Sequence, residues 1–116
     1  MIHNDVLRSV RYMLDISDNK MVEIIKLGGM DVTKDDLLTY LKKDEEEGFV
    51  FCPDDVMAHF LDGLVIFKRG KDESRPPQPI ETPVTNNIIL KKLRVAFELK
   101  EDDMHAILKA AEFPDR

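Results

Sequence analysis

The sequence predicts an all-α fold made from a tandem repeat of a small helical unit. Three observations carry that prediction. Apolar residues recur at i, i+3, i+4 and i+7, the spacing of one helix face. Residues that start and stop helices bracket those segments. The chain of 116 residues also matches itself when slid by 83 positions, the mark of an internal duplication.

Under that offset Asn4 falls on Asn87, Leu7 on Leu90, Arg11 on Arg94, Met21 on Met104, Ile24 on Ile107 and Lys26 on Lys109. Conservative pairs fill the gaps: Arg8 with Lys91, Val10 with Leu93, Leu14 with Phe97, Ile16 with Leu99, Asp18 with Glu101 and Ile25 with Leu108. Every core-type position keeps its character.

The elements follow in order. Leu7, Val10, Arg11 and Leu14 share one face of a first helix, and Leu90, Leu93, Arg94 and Phe97 repeat that face. A second helix spans about residues 18–27, with Ser17 as N-cap and Met21, Ile24 and Ile25 inward. Gly28 and Gly29 stop it. Thr33, with Asp36 three residues on, starts a third helix whose apolar side holds Leu37, Leu38, Tyr40 and Leu41. Residues 44–48 form an acidic turn. Pro53 at a first helical position opens a fourth helix, the most apolar of the chain and therefore central. Gly63 in its middle costs up to ~1 kcal/mol against Ala, and close approach of another helix is the usual reason for such a residue.

The first repeat thus covers residues 1–69 with about four helices. Residues 70–85 form a Pro-rich linker (Pro76, Pro77, Pro79, Pro83), extended and poorly packed. Residues 86–116 give the N-terminal part of a second repeat, incomplete at about two helices. Its apolar residues Leu90, Leu93, Phe97, Leu99, Ile107 and Leu108 need cover from the first repeat or from another chain. A shortened form of a protein of about 150 residues that also self-associates is the expectation, since the offset places the end of a full second repeat there.

Composition bounds the function. Net charge is −6, and acidic residues outnumber basic ones two to one over residues 1–67, which opposes a general phosphate binder. No apolar run reaches the length of a membrane span, and residues 1–5 do not begin a signal peptide. A single cysteine, Cys52, allows no internal disulfide and fits a reducing compartment, so a cytoplasmic location is expected.

The opening N-x-x-L-R-S-V-R, the segment F-L-D-G-L-x-I-x-K-R-G-K-D-E-S from Phe60 to Ser74 and the N-N-I-I-L-K-K-L-R run from Asn86 to Arg94 resemble the YehS-like bacterial proteins. The resemblance covers essentially the whole chain. It implies a cytosolic bacterial protein with two tandem helical copies, a family length greater than this chain, and no assigned activity, so no functional residues carry over.

Candidate chemistry is sparse. Arg11 and Arg94 lie on the apolar stripe of each copy and need an acceptor there, for which Asp62 of the central helix or a helix C-terminus is the expected partner. The sharper reading makes Arg8, Arg11, Lys91, Lys92 and Arg94 an anion-binding ridge. His3 with Asp5, Asp55 with His59, and Asp102 and Asp103 with His105 are imidazole–carboxylate neighbours, read as surface ion pairs because a metal site needs three or four converging ligands. Cys52 sits before a helix N-terminus, which favours a thiolate, but has no located base and reads as a small apolar residue or an N-cap. No Gly-rich phosphate loop is present, and the acidic third helix opposes a helix-turn-helix on DNA. The run Asp44, Glu45, Glu46, Glu47 is a solvated turn or a dock for a basic partner, and Phe49, Val50 and Phe51 beside it either fold onto the central helix or form a partner site.

The resulting expectation is a cytosolic, non-enzymatic interaction or regulatory module without cofactor or metal. It forms a homo-oligomer through helix faces or binds an unidentified protein. Nucleic-acid or anion binding through the basic ridge is the alternative.

Overall fold

The computed structural model describes residues 2–70 and 82–97. Among them five α-helices follow one another without a strand: α1 (His3–Leu14), α2 (Asp18–Leu27), α3 (Lys34–Leu41), α4 (Asp54–Arg69) and α5 (Asn86–Phe97). The second of the two helices predicted for residues 86–116 and the linker residues 71–81 lie outside the described residues.

Local chemistry sets the ends. The Asp5 carboxylate reaches back to the Ile2 N–H (3.2 Å), and the Asp5 N–H returns to the Ile2 carbonyl (3.0 Å), so the first turn of α1 is closed without a capping side chain at Ile2. Ser17 Oγ accepts from the Lys20 N–H at 3.1 Å, and Thr33 Oγ1 accepts from the Asp36 N–H at 3.1 Å, as expected for N-caps of α2 and α3. Gly28 and Gly29 end α2, with Gly29 at φ +104°, a conformation other residues avoid. Pro53 is the N-cap of α4 rather than its first helical residue.

Packing centres on α2 and α4, the most extensive helix contact in the fold. α3 packs on α2, α1 on α3, and α5 on α4. The α2–α4 crossing is set by backbone. A Cβ built on Gly63 would lie 1.8 Å from the Ile24 carbonyl oxygen, and one on Gly28 would lie 1.9 Å from the His59 carbonyl oxygen. The glycine that sequence reasoning attributed to close helix approach is therefore half of a Gly28/Gly63 contact. Around it Met21, Ile24, Ile25, Met57, Phe60 and Leu64 are sealed from solvent. Burying each such side chain contributes roughly 1.5–3 kcal/mol.

Two inward faces differ from expectation. In α3, Leu37 and Tyr40 are buried while Leu38 is exposed. In α5 the buried set is Ile89, Leu93 and Ala96, not Leu90, Leu93, Arg94 and Phe97. The reason is that α5 packs on α4, whereas α1, whose pattern it shares, packs on α3.

Candidate functional site

Asn4 is the one fully buried polar side chain among the described residues. Its position at the start of α1 points the carboxamide at the end of α3 and at the chain entering α4. Nδ2 donates to the Tyr40 carbonyl (3.0 Å) and to the Val50 carbonyl (2.8 Å), while Oδ1 accepts from the Cys52 N–H (2.9 Å). All three partners are backbone groups, 36 to 48 residues away in sequence. A buried carbonyl or amide left unmatched costs about 1–3 kcal/mol, so this amide fixes the path of residues 50–52.

The rest of the loop is tied as well. The Val50 N–H donates to the Thr39 carbonyl (3.3 Å), Lys42 Nζ to the Glu47 carbonyl (2.8 Å) and the Lys43 N–H to Glu46 Oε1 (3.2 Å). With the backbone held inward, the side chains turn out. Phe51 is 65% exposed and Val50 47%, and Phe51 meets Phe49 edge-to-face with centroids 5.0 Å apart. Asp44, Glu45, Glu46 and Glu47 are all exposed beside them. Phe51 also stands at the edge of an open cavity of about 490 Å³ bordered by Ile2, His3, Asp54, Val84 and Asn86.

The floor of that cavity is a polar joint. His3 Nε2 meets Asp54 Oδ1 at 2.6 Å, and Asp54 Oδ2 accepts from the Val84 N–H at 3.3 Å. The hydrogen bond from His3 holds the Asp54 carboxyl below its usual pKa; burial opposes it, and the Val84 N–H adds a further lowering. His3 thus pairs with Asp54 across the fold, not with its neighbour Asp5, which instead pairs with Arg8. His59 Nδ1 donates to the backbone carbonyl of Asp55 (2.7 Å), not to its carboxylate. His105 with Asp102 and Asp103 lies outside the described residues. Among the described residues no three His, Cys, Asp or Glu side chains converge as a metal site would need.

Arg8, Arg11 and Lys92 are each engaged by a different group. Arg8 Nη1 donates to the Lys42 carbonyl at 2.8 Å, closing the C-terminal end of α3. Arg11 Nε bonds Asp18 Oδ1 at 2.8 Å, tying α1 to the first turn of α2. Asp62, one of the two partners expected for Arg11, is taken by Lys92 at 2.8 Å, in a pair whose side chains are 13% and 16% exposed. Lys91 and Arg94 are exposed on α5. Arg8 and Arg11 belong to α1 and the other three residues to α5, so the two groups sit on helices with different packing partners. Aligned pairs in the sequence held the clue to Arg11: Arg11 and Asp18 match Arg94 and Glu101 at the same offset.

Cys52 is buried, and burial, aided by the charge of Asp54, pushes its thiol up to about 12. The thiolate that a helix N-terminus favours is not formed here, because desolvation outweighs it.

An all-α chain with a polar clasp under an aromatic loop is the class that these features define. The chain belongs to the family described as Protein of unknown function (DUF1456), which matches residues 3–70 and 86–114. It is 50% identical over 113 residues to the uncharacterized protein YehS of Escherichia coli (strain K12), an alignment covering 97% of this chain and 72% of the relative. No solved structure matches the chain. Among the described residues no helix is long and apolar enough to cross a membrane.

Proposed function

We propose that this protein is a non-enzymatic interaction module whose binding surface is the loop of residues 44–51 together with the cavity beside Phe51. The observation that carries this reading is the Asn4 clasp beneath two outward apolar side chains. A rigid backbone that presents an aromatic ring to water loses little freedom when the ring is buried by a partner, which is how interface anchors gain affinity. The four acidic side chains next to it favour a basic partner and disfavour a symmetric contact of this loop with itself, where like charges would meet. The partner that fits is therefore a basic polypeptide segment with an apolar side chain for the cavity. The high pKa of Cys52 and the pairing of His3 with Asp54 support a binding role over a catalytic one.

Capture from bacterial cytosol on the immobilised protein, with and without nuclease, tests the reading. The expected result is a basic protein retained after nuclease treatment, weakened tenfold or more by Phe51→Ser and by 0.5 M salt. Retention that disappears with nuclease, or that is equal for Phe51→Ser, overturns it.

A further inference from the structure

α1 and α5 carry the same residue pattern and are buried on different sides. Val6 and its counterpart Ile89 are buried in both, as are Val10 and Leu93. The Asn4 and Leu7 side of α1 is sealed completely, while Asn87 is exposed and Leu90 is only partly covered. On the opposite flank Ala96 is buried against α4 where Met13 of α1 is exposed. α5 has thus taken up a packing contact that α1 lacks and left open the one that α1 uses.

What closes that side in α1 is known in atomic terms. It is the third helix and the loop after it, which offer the Tyr40 and Val50 carbonyls and the Cys52 N–H to the Asn4 amide, with Leu37 and Tyr40 packed alongside. Asn87, exposed on α5, has no such backbone partners among the described residues. The match that Asn4 makes in α1 is specific: two donors and one acceptor aimed at a backbone that carries two carbonyls and one N–H.

From this we infer that the Asn87–Leu90 face of α5 is a docking site for a third-helix-and-loop segment of the second repeat, chemically a copy of residues 34–52, clasped by the Asn87 amide as residues 40, 50 and 52 are clasped by Asn4. The two separate stretches over which the family matches, 3–70 and 86–114, support the duplicated frame. More than a quarter of the E. coli relative lies outside the alignment, which is room for such a segment. The inference does not depend on the loop-surface reading above, since it concerns a different helix.

The repeat offset makes the test direct, because it places the counterpart of Thr33 at position 116. A copy of residues 34–69 is fused after Arg116, and the extended chain is compared with the 116-residue chain by hydrogen exchange and thermal melting. The expected result is at least tenfold greater protection of α5 amides and a melting point higher by 5 °C or more. Asn87→Ala removes both gains in the extended chain and changes neither quantity in the 116-residue chain. As a second measurement, a free peptide of residues 33–53 shifts the Asn87 side-chain amide resonance of the 116-residue chain, and Leu90→Asp abolishes that shift. No gain in protection together with no peptide-induced shift overturns the inference. So does a gain that survives Asn87→Ala, or a dimer of the 116-residue chain that Asn87→Ala splits, which would make a second copy the occupant.

Discussion

Gly28 and Gly63 face each other at the crossing of α2 and α4, where the Cβ that Gly63 lacks would sit 2.9 Å from the Gly28 backbone nitrogen and 1.8 Å from the Ile24 carbonyl oxygen. No rotamer change relieves a clash between a Cβ and a carbonyl, so the helices themselves must part.

Gly63→Ala therefore destabilises the fold by about 3 kcal/mol or more, above the usual range for overpacking because backbone is struck rather than a side chain. The gain of up to ~1 kcal/mol in helix propensity does not offset it. Thermal unfolding followed by circular dichroism checks this, and an unchanged or raised midpoint would refute the backbone contact.

Asn4→Ala leaves the Tyr40 and Val50 carbonyls and the Cys52 N–H without their partner. A loss of about 2–5 kcal/mol is expected from groups of that kind. Asn87→Ala, at an exposed position, stays within ±0.5 kcal/mol. Urea unfolding of the two variants side by side tests the asymmetry. A second expected result is that Asn4→Ala weakens capture of the basic partner even though Asn4 is buried beneath the loop.

Lys92 and Asp62 form a largely desolvated pair between α5 and α4. Removing one partner strands the other charge, so Lys92→Met costs about 3–5 kcal/mol. Lys92→Met combined with Asp62→Leu recovers most of it. Arg94→Met, on the exposed side, changes stability by less than ~0.5 kcal/mol. Denaturant titration of the three variants reads all three values.

The Cys52 thiol reacts slowly while the protein is folded, because its native pKa of about 12 leaves almost no thiolate at pH 8. Alkylation by iodoacetamide is expected to be at least 100-fold faster in 6 M guanidinium. The same shift has a sign for stability. The folded-state pKa is raised above the ordinary thiol value of about 9, so the contribution is present in full below pH 9 and is lost as the pH climbs from there through 12. Cys52→Ala has a shallower decline in stability over that alkaline range, and an identical decline would contradict the burial of the thiol.

Much of the frame is readable from residue pattern alone. Ser17, Thr33 and the Gly28–Gly29 pair announce the ends of α2 and the start of α3 through local hydrogen bonding, which needs no tertiary knowledge. Gly63 is readable because a glycine inside an apolar helix has a cost that something must justify. The rest depends on how helices rotate against each other. The spacing that makes Leu90, Leu93 and Phe97 a face is real, but α5 meets α4 through Ile89, Leu93 and Ala96, and no periodicity states which neighbour a helix chooses. Arg11 failed to find Asp62 for the same reason: Lys92 arrives there first on a helix whose docking the pattern does not disclose. Asn4 stood out as a repeated residue, yet its task lies in carbonyls 36 and 46 positions away, beyond any local signal.

The Asn4 carboxamide reads only main-chain atoms. It grips the carbonyl of residue 50 and the amide of residue 52 and is indifferent to what side chains those residues and residue 51 display. Such an arrangement separates how a loop is anchored from what the loop says. Substitutions at 50 and 51 can rewrite the exposed message while the anchorage stays as it is, so the protein has the makings of a fixed mount with an exchangeable face.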